Sequence, residues 1–331
     1  MRKIDWKQIN AEALLITNPK NIRHFTNLNA SLAFLLIKKD SRTLFTDSRY
    51  FEVAKEVYDG EVKLFKNMEQ LEKEIKGIES LAIESDFITI NQVKIYKKMI
   101  KNLVYINGQK LRMIKQKDEI DNLREAIKIT KDVMEWASKK LKPGLTEKEL
   151  SIMVVSELKR RGSEDLDYQP IIAGGENSSK PHAKPSERKF KNGDTVMFDF
   201  AAVINGYTAD LTRNYSIGKI TNKEIIKIKE IVKKSQMAGI KAVKPGIIGS
   251  EIDKICREII EKEGYGSMFG HGTGHGLGRD VHEFPNVGPS SDIKFVEGNV
   301  ITVEPGIYLP GIGGIRIEDD ILVTKDGFEI L

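Results

Sequence analysis

The sequence predicts an α+β protein of two domains: a small α/β unit over residues 1–110, then a larger domain over 111–331 whose halves repeat one another. Three observations predict it. Short apolar strands alternate with charged helical stretches in the first third, a polar basic connector at 107–119 opens into an amphipathic helix, and a Lys-Pro-Gly signal recurs at a fixed offset.

In the first unit, the runs EALLITN, SLAFLLIKK, TLFTDSRY and SLAIES read as strands, and MEQLEKEIKGI reads as a helix between them. After the connector, Ile120, Leu123, Ile127 and Met134 recur at helical spacing. Lys142-Pro143-Gly144 then returns as Lys244-Pro245-Gly246, an offset of 102, with a helical segment before each copy and another after it that ends at Gly162 or Gly264. Thr146 with Glu149 is a capping-box signal for the first of these later helices, and Ser250 with Asp253 is a weaker one for the second. Phe190-Lys191-Asn192-Gly193 and Phe295-Val296-Glu297-Gly298 each lead into an apolar strand, and six residues past each glycine stands an acid, Asp199 or Glu304. A carboxylate among Val, Met, Phe and Ile is costly to bury without a compensating cation or proton.

Composition narrows the function classes. With 40% hydrophobic and 31% charged residues, the 331-residue chain has the make-up of a soluble globular protein. Its formal +5 is spread along the chain without the basic blocks of a phosphate-backbone binder, so no nucleic-acid partner is expected. The N-terminus lacks an apolar signal core, and the run SLAFLLI at 31–37 is too short to cross a bilayer; the expectation is a cytoplasmic protein with no membrane partner. The single cysteine, Cys256, excludes an internal disulfide and shares a helical face with Ile252, Ile255, Ile259 and Ile260, a packing position.

Spacing carries the chemistry. Asn205-Gly206 is a two-residue hairpin signal, which pairs Ile204 with Tyr207, Ala201 with Asp210 and Asp199 with Thr212. Asp199 and Asp210 then lie diagonally on one sheet face, roughly 6–8 Å apart at Cβ. In the second half Glu304 is followed by Glu318 in GGIRIEDDILV, where the register is not derivable because Pro305 and Pro310 interrupt it. A pseudo-twofold relation brings all four acids together, and about two divalent ions would be needed to neutralise them. In the stretch HGTGHGLGRDVHE, an extended chain turns its glycines to one side and His271, Thr273 and His275 to the other. One imidazole among four carboxylates suits Mn(II), with Co(II), Zn(II) or Fe(II) as competitors. Asp319 and Asp320 read as solvated or structural acids.

These residues resemble the pita-bread metallopeptidases, the superfamily of aminopeptidase P, prolidase and methionine aminopeptidase, over nearly the whole chain. The resemblance implies a pita-bread catalytic domain after a creatinase/prolidase-like N-terminal domain, and a five-ligand dinuclear site of Asp199, Asp210, His275, Glu304 and Glu318. In that pattern Asp199 chelates one ion, His275 and Glu304 hold the other, and Asp210 and Glu318 bridge. His182 in SKPHAKP, His271, and His282 in DVHE match positions outside the ligand set, and His271 and Arg316 resemble the aminopeptidase P and prolidase branch. NPKNIRHFTNLNAS and LFTDSRYFEVA resemble that branch's N-terminal domain.

The activity implied is hydrolysis of the bond between an N-terminal residue and a following proline in peptides, through a hydroxide shared by two ions. Glu304 is the candidate proton shuttle. His182 and His282 are assigned to the tetrahedral intermediate and to substrate, and His271 to the proline pocket. Arg316 would hold a nearby acid or meet substrate. Rival readings are a prolidase restricted to Xaa-Pro dipeptides, a metal-free creatinase-like enzyme, and a catalytically inactive peptide-binding module; the intact ligand set argues against the last two. Relatives commonly dimerise, so a homodimer is expected.

Overall fold

The computed structural model describes residues 2–165 and 169–331, which divide into a unit ending at Arg112 and a unit beginning at Met113. No helix among the described residues is long and apolar enough to cross a membrane.

The first unit is built on strands β1 (Ala13–Ile16), β2 (Ala33–Lys38), β3 (Arg42–Thr46), β4 (Glu61–Leu64), β5 (Ser80–Glu84) and β6 (Asn102–Ile106). They form one mixed sheet in the order β4-β3-β2-β1-β5-β6. The central strands are apolar on both faces because both faces are covered. Leu14, Ile16, Leu35 and Ile37 enter one core, while Ala13, Leu15, Leu36 and Ile83 enter the other. Sequence pattern found β1, β2, β3 and β5. It missed β4 and β6, the two edges of the sheet, whose residues are mostly half-exposed and whose runs EVKL and NLVYI carry less of the apolar signal.

The second unit contains β7 (Ile171–Gly174), β8 (Thr195–Phe200), β9 (Val203–Ile204), β10 (Tyr207–Thr208) and β11 (Leu211–Ser216) in its first half. Its second half contains β12 (Gly274–Gly276), β13 (Glu283–Val287), β14 (Val300–Val303), β15 (Gly306–Leu309), β16 (Gly313–Arg316), β17 (Asp319–Val323) and β18 (Phe328–Ile330). The order β11-β8-β7 in one sheet is mirrored by β17-β14-β12 in the other, and each half inserts a small hairpin, β9-β10 or β15-β16. Each half also carries a helix pair: Lys117–Ser138 with Glu147–Arg160, and Lys223–Ala242 with Gly249–Lys262.

The repeat extends to individual hydrogen bonds. Gly144 N–H donates to Phe190 O at 3.0 Å, and Gly246 N–H to Phe295 O at 2.8 Å. Gly144 and Gly246 hold φ of 91° and 89°, a left-handed turn that favours glycine, which accounts for their recurrence in the two Lys-Pro-Gly signals.

One expected match fails. Thr146 caps its helix as predicted, with Glu149 reaching back to the Thr146 N–H at 2.8 Å. The second copy starts two residues earlier than the Ser250/Asp253 signal requires: Glu251 accepts from Ile248 N–H at 3.0 Å, and Asp253 is buried and used elsewhere. Cys256 is buried with Ile252 against Val303 and Ile321, and burial pushes its thiol up to about 12, so it packs and does not react.

Candidate metal centre

The hairpin turn at Asn205-Gly206 sets the first half of the site. Ile204 pairs with Tyr207 and Asp199 with Thr212, in the register the two-residue turn dictates. Ala201 and Asp210 fall between the two ladders, where Ala209 N–H donates to Ala202 O at 3.2 Å, so this short gap frees Asp210 from strand pairing. Its backbone N–H goes instead to the carboxylate of Asp320, at 3.0 Å.

In the second half, β14 and β17 pair as far as Val303 opposite Asp319. One step further both acids leave the ladder. Glu304 N–H donates to Thr273 O at 2.7 Å, and Glu318 N–H donates to Thr212 O at 3.3 Å. These changes of partner tie Glu304 to the histidine segment and Glu318 to the first-half hairpin. They bring four acids from distant positions to one place.

Three overlapping groups result, each with donor atoms within 4.8 Å of one another: Asp199, Asp210 and Glu318; His275, Glu304 and Glu318; Asp210, His275 and His282. Asp210, His275 and Glu318 are each shared between two groups. Burial pushes Glu304 up to about 8 and holds Asp210 and Glu318 well above the usual carboxylate range, with the neighbouring acids adding to the rise for all three. Burial pushes His275 down to about 4. Its Nδ1 meets the Gly276 carbonyl at 3.0 Å, which can only accept, so Nδ1 carries the proton. Nε2 is left as a lone pair 3.3 Å from Glu304 and 3.6 Å from Asp210, the neutral form a metal requires.

Arg316 is the buried cation of the centre. Its guanidinium pairs with Asp199 and donates to Thr212 Oγ1 at 3.0 Å, Tyr308 Oη at 2.9 Å and Pro181 O at 3.1 Å. Thr212 in turn donates to Glu318 at 2.6 Å, so a hydrogen-bond chain runs from Arg316 through Thr212 to Glu318. Because Arg316 donates to Tyr308, the Tyr308 hydroxyl is free to donate to His271 Nε2 at 2.8 Å. His271 Nδ1–H then donates to Gly272 O at 2.8 Å. Both nitrogens of His271 are thereby engaged, and its ring carbons are what remain for the cavity.

The glycines of the histidine segment make room for backbone: a Cβ on Gly274 would collide with Thr302 O, and one on Gly276 with Phe284 O. The segment is not uniformly extended, since the register shifts between Gly274 and Gly276. His271 and His275 do share a cavity, but Thr273 does not join them as the alternation predicts. Its Oγ1 and N–H bond to Asp253 at 2.9 and 3.0 Å, and Arg257, paired with Asp253, donates to the carbonyls of Phe269 and His271. This clamp was missed in sequence because the Asp253-Arg257 spacing also reads as an ordinary helix ion pair. Tyr308 was missed as well, since no spacing selects it, and Thr212 was placed opposite Asp199 without a role. Asp320 is fully buried, so of the two expectations for it the solvated one does not hold.

The donor groups line a cavity of about 210 Å³ that shares Asp199, Asp210, His182 and His282 with a wider one of about 480 Å³. His182 and His282 are exposed there, and the His282 ring stands edge-on to His275 at 4.2 Å between centroids. Ile171, Ala183, Pro185 and Val281 make part of the wider cavity apolar.

A pH dependence follows. Glu304 ordinarily ionises near 4.5 but is pushed up to about 8 in the fold, so between these values the folded chain holds a proton that the unfolded chain has lost. The contribution is favourable below pH 4.5 and fades as pH rises to about 8. A divalent ion held there would replace that proton, so the rise in Tm on adding Mn(II) should be small near pH 5 and large near pH 8. Equal rises at both pH values would contradict a buried carboxyl cluster awaiting cations.

Comparison with known proteins bears on this arrangement. The model for metallopeptidase family M24 matches residues 121–325, and the model for the creatinase/prolidase N-terminal domain matches residues 6–125. A putative Xaa-Pro aminopeptidase of Mycoplasma pneumoniae is 39% identical over 318 residues, covering 95% of this chain and 90% of the relative. The solved Xaa-Pro dipeptidase from Bacillus anthracis superposes with a TM-score of 0.92 at 35% identity, covering 98% of this chain and 94% of that one. The prolidase from Pyrococcus horikoshii OT3 gives the same TM-score, identity and coverage.

Proposed function

The chain belongs to metallopeptidase family M24, and on that premise we propose that it is an Xaa-Pro aminopeptidase, removing an N-terminal residue that precedes proline. Two divalent ions, Mn(II) before Co(II), Zn(II) or Fe(II), would be held by Asp199, Asp210, His275, Glu304 and Glu318. The observation that carries the reading is that the donor atoms of all five residues fall in overlapping groups, Asp199, Asp210 and Glu318 in one and His275, Glu304 and Glu318 in another. Glu318 is common to these two groups and Asp210 also stands 3.6 Å from His275, so these two carboxylates would lie between the ions, with Asp199 on one side and His275 with Glu304 on the other, as the family resemblance implies. Charge supports the same count. Ionised, the four acids and the buried Asp320 exceed Arg316 by four negative charges, which two dications offset.

When bound, the ions supply a water acidic enough to attack near neutral pH and a Lewis acid for the scissile carbonyl. The chain's own residues do the rest. Proline's nitrogen carries no hydrogen in the peptide, so it leaves readily only once protonated. Glu304 takes the attacking water's proton on a carboxylate oxygen and returns it to that nitrogen as the C–N bond breaks. His182 and His282, exposed at the mouth, hydrogen-bond to the carbonyl oxygen as it gains charge. His271 presents its ring carbons to the proline and, through Tyr308, positions Arg316.

Hydrolysis of Xaa-Pro and Xaa-Pro-Xaa-Xaa by metal-stripped protein, with and without Mn(II), tests the proposal. Metal-dependent release of the N-terminal residue from both peptides is expected. If neither is cut with any divalent ion, the function is wrong. A second reading, restriction to dipeptides, draws on one specific observation, the cation in the wider cavity taken up next. The same reading includes a cytoplasmic homodimer, whose assembly sedimentation would check.

A further inference from the structure

The wider cavity carries three acids, Asp199, Asp210 and Asp280, and Lys184 is the single lysine or arginine that lines it among the described residues. Lys184 is exposed and, unlike Arg316, has no ion-pair partner among the described residues. Its placement follows from its neighbour. Ala183 is buried in a small cluster with Ile171, Ala173 and Met197, which leaves His182 and Lys184 on either side of it, both exposed and both lining the cavity. With Asp199 and Asp210 neutralised by their ions, Asp280 is the remaining acid lining the cleft, and an unpaired ammonium there attracts the free carboxylate of a short peptide.

We propose that Lys184 receives the terminal carboxylate of Xaa-Pro dipeptides, making them the preferred substrates of the site. The inference rests on the Xaa-Pro reading above, with His182 at the scissile carbonyl. Covalent geometry sets the scale. In a dipeptide the proline carboxyl carbon lies about 3 Å from the scissile carbonyl carbon, while residues 182 and 184 are at most about 7 Å apart at Cα. Each added residue moves the terminal carboxylate about 3.5 Å further out and neutralises proline's own carboxyl as an amide. Longer peptides still enter the open cleft but lose this contact.

The test compares Xaa-Pro with its C-terminal amide, Xaa-Pro-NH₂, in wild type, Lys184→Gln and Lys184→Arg, each loaded with Mn(II). The quantity read is kcat/KM for the acid over that for the amide. The wild type should favour the acid. Lys184→Gln should lower that ratio about fivefold through KM, the scale of a solvent-exposed ion pair. Lys184→Arg should keep the preference. A ratio unchanged in Lys184→Gln overturns the role of Lys184 while leaving the peptidase reading intact. If the wild type cuts neither compound, the peptidase reading itself fails and this inference with it.

Discussion

Replacing Asp210 by Asn is expected to abolish turnover while making the metal-free fold more resistant to heat. The carboxylate belongs to two donor groups, so its loss weakens both sides of the centre together. Activity should fall by more than the roughly 10–100-fold that loss of a supporting residue typically costs a metal site. Stability moves the other way without metal. Burial and the charges of Glu318, Asp199 and Glu304 hold the Asp210 carboxyl well above its ordinary 3.8, a destabilising contribution that grows as pH rises past that value. A neutral amide removes it. The metal-free variant should therefore melt above the metal-free wild type at pH 8, with little difference at pH 4, and Mn(II) should raise its Tm less. Retention of most activity with full metal content would sink the dinuclear assignment.

That site was half legible in the sequence, and the difference between the halves is physical. Asn205-Gly206 makes a two-residue turn with φ of 52° and 74°, and such a turn fixes strand register, so Asp199 opposite Thr212 follows from chain chemistry. The second half has no such turn. The hairpin β15-β16 stands between Glu304 and Glu318, and both acids sit where backbone bonds switch to Thr273 and Thr212, partners far off in sequence. The internal repeat and the family resemblance pointed there, and chain geometry did not.

Other features are tertiary from the start. Asp320 was indistinguishable from Asp319 as one of two adjacent acids, yet one accepts from Asp210 N–H in the core while the other pairs with Arg213 and Gln236. Alternation placed Thr273 with the histidines, and a buried Asp253 drew it away. Local pattern reads periodicity, and a buried polar partner overrides it.

Arg316 shows how far that override reaches into stability. Its buried guanidinium makes four hydrogen bonds in different directions, to Asp199, Thr212, Tyr308 and the Pro181 carbonyl, and stands 3.9 Å from Glu304. Arg316→Met leaves Asp199 without its buried cation, a change that ordinarily costs about 3–5 kcal/mol. The metal-free variant should show this as a lower Tm, and added Mn(II) should recover part of it by taking over Asp199. Arg316→Lys is the more informative variant. It keeps the charge, but one ammonium cannot reproduce a planar fork that spans Asp199, Thr212 and Tyr308 together. Releasing Thr212 loosens its bond to Glu318, and releasing Tyr308 frees His271, so the lysine variant should bind Mn(II) about 10–100-fold more weakly even where its Tm is largely restored. Calorimetric Kd for Mn(II) beside Tm in both variants separates charge from geometry. A lysine variant with wild-type affinity would mean that the charge of Arg316 suffices and that its fork does not position the ligands.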